Sequence, residues 1–174
     1  MSVSSHLNPE PERRLWIMHG NMRRAAARSD VKLGALAVFA LMEIALLRVD
    51  FVCGALSCAA MTALCAVLPL CLLAVSPFLD SAAARPGTSG RPRPSDSLVT
   101  ARDLAKYPQM ELVIALDKYL GGGVTATPYY EDIVWQISLL ARSAVRKELL
   151  LKAASALALA AQLLLAALFS LRLA

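Results

Sequence analysis

Long apolar stretches separated by short polar ones dominate the chain and set the first prediction of its fold. Residues 51–79 contain no charged side chain, and neither do residues 153–171. An apolar run of 18 or more residues is typical of a transmembrane helix. A third run, residues 31–47, is interrupted only by Lys32 and Glu43 and would reach about 25 Å as a helix. Because flanking cationic side chains can extend a short span, we predict three transmembrane helices.

The first two spans, about 31–47 and 51–75, are joined by so few residues that they must form an antiparallel hairpin within residues 31–79. Pro69 lies inside the second of them. Because proline has no backbone N–H to donate, we expect a kink at this position.

The polar stretches predict the rest of the organisation. Residues 1–12 read as disordered, residues 13–30 as a cytosolic or juxtamembrane helix, and residues 80–97, rich in Pro, Gly and Ser, as a disordered linker. Residues 98–148 form a small cytosolic helical region, and residues 149–171 the last span. The predicted fold is therefore an all-α integral membrane protein with a small helical cytosolic part.

Two helices are predicted in the cytosolic region. Residues 109–120 carry an apolar side made of Met110, Val113, Ile114 and Leu116, and a triple glycine stops this helix. A second helix begins with Thr127 as N-cap and Pro128 in the first helical position. No further Gly or Pro follows, so one long helix should run over residues 129–171, half cytosolic and half in the membrane. Its apolar stripe comprises Ile133, Ile137, Leu140, Ala141 and Ala144.

The distribution of charge predicts the orientation. The chain has 18 Lys and Arg against 13 Asp and Glu. With a cytosolic N-terminus, only Arg48 and Arg172 fall on the outer side, which is a strong positive-inside bias. A cleaved signal peptide fits poorly, because the first apolar run starts about 30 residues in and is followed at once by another.

Several functional classes find no support in the sequence. The basic residues are scattered rather than clustered, so nucleic acid is not an expected partner. All four cysteines lie in the second span without a CxxC or a nearby histidine, which argues against a metal site. Because no hydrolase, phosphate-loop or Cys–His motif occurs, we expect no catalytic residues and no enzyme activity.

A nucleotide contact can be argued for six residues, each with an ordinary structural alternative. Gly122, Gly123, Thr125 and Thr127 precede a helix N-terminus, where backbone N–H groups can hold a phosphate, although a flexible loop explains them as well. Arg142 and Arg146 share one helix face and could pair with a cyclic phosphate. They could equally contact lipid headgroups or nearby acids.

Glu43 is the one acidic residue inside a predicted span. An acidic side chain at the centre of a span costs about 2.5–3.5 kcal/mol on insertion scales, and less near the end of the span. Gln162, midway along the last span, is its best intramembrane partner. We therefore expect a polar contact between these helices, within one protomer or between protomers.

The order and spacing of two segments resemble a known family. In "SDVKLGALAVFALMEIALL", Asp30 and Lys32 match the residues that begin the first span in the transmembrane effectors of bacterial Pycsar antiphage systems, and Glu43 falls where the resemblance implies a later acidic or amide residue. "YYEDIVWQISLLARSAVRKELLLKAASALALAAQLLLAAL" is similar to their closing helix, with Arg146 and Lys147 before the last span. The likeness covers about residues 25–171, and it departs from the family pattern at Leu33, Pro77 and Asp80.

The resemblance implies an effector in the bacterial inner membrane. A partner nucleotide cyclase would make a cyclic pyrimidine nucleotide, cyclic CMP or cyclic UMP, on infection. The effector would bind it without another cofactor and impair the membrane, which aborts infection. Since a single copy of three spans can hardly enclose a pore, a homo-oligomer surrounded by membrane lipid is expected.

Two other functions remain open on the residues alone. One is a membrane scaffold or regulatory subunit that binds no ligand. The other is a small channel or transporter of ordinary physiology, although a transporter predicts internal repeats that this sequence lacks.

Overall fold

The computed structural model describes residues 10–49, 55–76, 92–93, 96–120 and 128–173. All regular secondary structure in these ranges is α-helical. The helices are α1 (Glu10–Val49), α2 (Ala55–Val75), α3 (Ala101–Leu104), α4 (Gln109–Leu120) and α5 (Pro128–Leu173).

The two longest helices are continuous. Helix α1 has 40 residues, so the predicted juxtamembrane helix and first apolar run are one element. Helix α5 has 46 residues and begins at Pro128, as the proline at a first helical position predicts. The long C-terminal helix expected over residues 129–171 is thus confirmed.

Two compact units make up the chain. The first comprises Met1–Ala27 and Asp80–Val145, and the second Arg28–Leu79 and Arg146–Ala174. Helices α1 and α5 contribute residues to each unit, α3 and α4 belong to the first, and α2 belongs to the second.

The first unit has a core built from four helices. Helix α1 contributes Leu15, Met18 and Met22, and α3 contributes Leu104. Helix α5 supplies the other side with Tyr130, Ile133, Val134, Ile137 and Ala141, of which Ile133, Ile137 and Ala141 belong to the predicted stripe. These α5 positions recur at intervals of three and four, which brings them to one face of the helix.

Helix α4 packs with a face that agrees only in part with the predicted one. Leu112 and Leu116 are fully buried, whereas Met110 and Ile114 are 75% and 67% exposed. Of the predicted apolar side, Leu116 and the partly buried Val113 pack in the core, whereas the placement of Met110 and Ile114 on that side was wrong. Leu112 and Leu116 are four apart, so they define an equally regular helical face, and contact with the core selects it.

The second unit has its own apolar core. Leu33 and Ala40 of α1 pack with Leu64, Val67, Cys71 and Ala74 of α2. The α5 residues Ala154, Ala158 and Ala161 complete this cluster. Small side chains at these positions let helix backbones approach closely, as they do in helix packing within membranes.

Among the described residues, two helices are long and apolar enough to cross a membrane, namely α2 (Ala55–Val75) and α5 within Pro128–Leu171. Only 28% and 17% of their most apolar stretches are buried, unlike the core helices of a soluble protein. Helix α1 does not qualify, because its apolar part contains Lys32 and Glu43 and is closely flanked by Asp30 and Arg48.

Candidate functional site

An ion pair joins α1 and α5 in the second unit. The Lys147 ammonium lies 2.7 Å from Oδ1 of Asp30 and donates a hydrogen bond of 2.9 Å to Oδ2. The Lys147 side chain is 14% exposed and that of Asp30 is 39% exposed. Both residues belong to the two segments that carry the family resemblance, so the structure brings these segments together.

A second polar contact joins the same helices. Nε2 of Gln162 donates a hydrogen bond to Oε1 of Glu43. The contact expected between these residues is therefore present, and it forms within one chain. Oε2 of Glu43 is buried and has no hydrogen-bond partner among the described residues. Gln162 thus satisfies one oxygen of the carboxyl group.

Small residues place Glu43 and Gln162 within reach of each other. Ala40 lies one turn before Glu43 on α1 and is fully buried, as is Ala161 next to Gln162 on α5. Ala158 is also buried. A bulky side chain at any of these positions would separate the helices and lengthen the hydrogen bond.

A polar network surrounds the start of α3 in the first unit. Thr100 caps this helix, since its side chain accepts a hydrogen bond from the backbone N–H of Asp103. The Lys106 ammonium lies 2.6 Å from the Asp103 carboxylate and 3.0 Å from the Asp96 carboxylate. The backbone N–H of Arg93 donates a 2.8 Å hydrogen bond to the second oxygen of Asp96.

The hydrogen bonds and charges of this network shift the pKa values of its ionisable side chains. Hydrogen bonds from the backbone of Arg93 and from Lys106 lower the pKa of Asp96. Hydrogen bonds from Lys106 and Thr100 lower the pKa of Asp103. The two carboxylates, Asp103 foremost, raise the pKa of Lys106. All three groups are therefore held in their charged forms at neutral pH, which fixes the segment preceding α3.

A second polar pair flanks the predicted nucleotide loop. Burial, together with the negative charge of Asp117, raises the pKa of Tyr130 to about 12. Asp117 lies near the end of α4 and Tyr130 near the start of α5. Oδ1 of Asp117 is buried without a hydrogen-bond partner among the described residues. Neither residue was predicted from the sequence as part of a site.

The six predicted nucleotide residues are distributed as follows. Gly122, Gly123, Thr125 and Thr127 lie outside the described residues. Arg142 belongs to the first unit, where its guanidinium donates a 3.1 Å hydrogen bond to the carbonyl of Tyr107. Arg146 belongs to the second unit.

Some of these features had signals in the sequence and others did not. A Thr three residues before an acidic residue, as in Thr100 and Asp103, is a recognisable helix-start signature. Lys106 follows three residues after Asp103, which favours an ion pair on a helix. Asp117 gives no such signal, because an acid near a helix end is usually solvated.

Metal binding finds no support in the described part of the chain. No group of three or more His, Cys, Asp or Glu side chains there could hold a metal ion. The free cysteines described, Cys58, Cys65 and Cys71, all lie on α2.

Comparison with known protein families identifies a match for most of the chain. No curated protein and no solved structure matches the chain. The family described as the Pycsar effector protein domain, PycTM, matches residues 14–174. This range contains both polar contacts between α1 and α5 and both of the segments on which the resemblance rested. The chain therefore belongs to the Pycsar effector protein domain family.

Proposed function

We propose that this protein is a non-catalytic membrane effector of a bacterial antiphage system. It senses a cyclic pyrimidine nucleotide, cyclic CMP or cyclic UMP, made by a partner cyclase, and it then impairs the inner membrane to abort infection. The family match over residues 14–174 carries this proposal. Two helices with the length and composition of membrane spans support it.

The proposed arrangement has three spans, with α1 beside the two that qualify by composition. Leu33 and Ala40 of α1 pack in the same apolar core as α2 and α5. The polar group that makes α1 a poor span, Glu43, has a partner in Gln162. A hydrogen bond inside the membrane lowers the free-energy cost of placing the Glu43 carboxyl group there. Helix α1 can therefore cross the membrane despite this residue.

The first unit is the proposed cytoplasmic sensor. Gly122, Gly123, Thr125, Thr127 and Arg142 would contact the phosphate of the nucleotide, with the two threonines as hydroxyl donors. Asp117 and Tyr130 flank this loop in the chain and supply an acceptor and a hydroxyl for the sugar or base. Arg142 also donates a hydrogen bond to the Tyr107 carbonyl. In this proposal the arginine therefore stabilises the first unit as well as binding the ligand.

Nucleotide binding reaches the membrane through α1 and α5. Each is a single helix with residues in the cores of both units. A ligand that shifts the protein from 1% to 99% active needs a preference of about 5.5 kcal/mol for the active conformation. Several copies then assemble, because three spans cannot surround an aqueous path.

The experiment records membrane potential in bacteria that express the full chain, before and after cyclic CMP or cyclic UMP is supplied. Cyclic AMP is the control ligand. Depolarisation only with a pyrimidine nucleotide supports the proposal. A conductance that needs no nucleotide would indicate an ordinary channel, and neither nucleotide binding nor depolarisation would indicate a scaffold.

Variants of the proposed sensor test whether Arg142 contributes to nucleotide binding. Arg142→Gln should weaken nucleotide binding measured by calorimetry, and Arg142→Lys should weaken it less because the charge is kept. Arg102→Gln, an exposed arginine on α3, is the matched control. Equal binding by Arg142→Gln and Arg102→Gln would remove Arg142 from the proposed site.

A further inference from the structure

One end of the second unit carries an excess of positive charge. Residues 28–32 of α1 and 146–152 of α5 are brought together by the ion pair between Asp30 and Lys147. We call these two segments the cationic belt. The cationic belt contains five basic residues and two acids, a net charge of 5 − 2 = +3.

Both acids of the cationic belt already have partners. Lys147 lies 2.7 Å from Asp30, and Lys152 lies 2.7 Å from Glu148. Arg28 and Lys32 are exposed, and no hydrogen bond or ion pair with the described residues engages them. These two cations are therefore available for an external anion.

Arg28 and Lys32 project from the same side of α1, away from its core. They are four residues apart, so their side chains are neighbours on one helix face. Leu33, the next residue, is fully buried and lies about 100° around the helix from Lys32, on the core side. The anion must therefore approach from outside the unit.

The neighbours of these cations identify the kind of anion. Val31 between them is 73% exposed, and Val38 farther along the helix is 59% exposed. A dissolved nucleotide or inorganic phosphate would neutralise the cations but leave these apolar side chains in water. An anionic phospholipid supplies a phosphate beside the cations and acyl chains beside the valines.

We infer that Arg28 and Lys32 form a binding site for the phosphate headgroup of an anionic phospholipid. The inference rests on the proposed membrane location and adds a partner that the family match does not specify. Each cation near an anionic membrane surface contributes about a fivefold preference, ~1 kcal/mol. Together Arg28 and Lys32 should favour an anionic lipid by about 25-fold.

The test uses the full chain, purified in an uncharged detergent and given equal amounts of phosphatidylglycerol and phosphatidylcholine. Native mass spectrometry gives the ratio of the two bound lipids. The wild type should retain phosphatidylglycerol preferentially, and Arg28→Gln/Lys32→Gln should lower the ratio by about 25-fold. The control variant Arg13→Gln/Lys118→Gln removes the same two residue types from exposed positions outside the second unit. It should leave the ratio of the two bound lipids unchanged.

Three results would overturn the inference. They are equal ratios for the wild type and Arg28→Gln/Lys32→Gln, an equal loss in the control variant, and displacement of the lipid by cyclic CMP or inorganic phosphate. If the glutamine variant does not fold, the wild type alone provides the test. Its preference should fall as salt rises from about 0.1 M to about 1 M, and a constant preference would contradict an electrostatic site.

Because lipid binding is measured without nucleotide, its outcome is separate from that of the sensing proposal. A preserved lipid preference together with no depolarisation would count against sensing alone. A chain recovered from cells without detergent would count against the membrane location itself.

Discussion

Replacing Gln162 by leucine should have two opposite effects on the stability of the second unit. The substitution makes the last helix more apolar, which favours its insertion into a membrane. It also removes the donor to Oε1 of Glu43, whose other oxygen is already buried without a partner. The carboxyl group then has no hydrogen bond among the described residues. We expect the second effect to dominate, so that Gln162→Leu destabilises the folded protein.

The magnitude follows from intramembrane hydrogen bonds, which average about 0.6 kcal/mol and reach about 1.7 kcal/mol. Glu43→Leu should act in the opposite direction. It removes an acid from an apolar environment, which favours insertion by up to about 2.5 kcal/mol, and less for a residue about 6 Å from the end of the span. In the Glu43→Leu background Gln162 has no acid to satisfy, so adding Gln162→Leu there should carry no penalty.

The assay is a double-mutant cycle measured by reversible unfolding of the full chain in lipid bilayer discs. The coupling energy between Glu43 and Gln162 should be about 0.6–1.7 kcal/mol. Gln136→Leu makes the same substitution at an exposed position of α5 in the first unit and serves as the control. Additive effects of the two single variants would refute the assigned contact, as would an unchanged stability of Gln162→Leu.

Three further predictions concern the first unit. Leu116→Ala should lower the free energy of unfolding by about 2–5 kcal/mol, while Ile114→Ala, which is 67% exposed, should change it by less than about 0.5 kcal/mol in the same denaturation assay. Asp103→Asn should lower the melting temperature at neutral pH. Because the folded pKa of Asp103 lies below its ordinary value of 3.8, its contribution should be lost as the pH falls below 3.8 and through the folded pKa, and a difference that persists in stronger acid would contradict the ion pair with Lys106. In an absorbance titration of phenolate, Tyr130→Phe should remove the component near pH 12, and loss of a component near pH 10 instead would show that Tyr130 is not buried.

Local sequence signals predicted the helices better than their packing. Pro128 at a first helical position and the absence of Gly or Pro beyond it were enough to place the long C-terminal helix. For α4 the same kind of reasoning rightly included Leu116 but also placed Met110 and Ile114 on the buried side and missed Leu112. Met110 and Ile114 are as regularly spaced as Leu112 and Leu116. Periodicity finds a helix, but only the neighbouring helices decide which of two apolar faces becomes buried.

The candidate site shows a similar division. The contact between Glu43 and Gln162 was predictable, because polar groups are scarce in apolar helices and few partners exist. The electrostatic effect of Asp117 on Tyr130 was not, since the two residues lie on different helices and no local pattern of the sequence links them. The contact of Arg142 with the Tyr107 carbonyl was also unforeseen, because backbone acceptors leave no trace in a sequence.

The hydrogen bond between Glu43 and Gln162 also bears on how the protein is made. These residues are 119 positions apart in the chain. At a synthesis rate of about 5–20 residues per second, Glu43 is made roughly 6–24 s before its partner. In the proposed three-span arrangement, the nascent hairpin therefore holds the Glu43 carboxyl group unpaired in the bilayer until α5 is inserted. Insertion of α1 is consequently the step of biogenesis most exposed to failure, and completion of α5 ends that exposure.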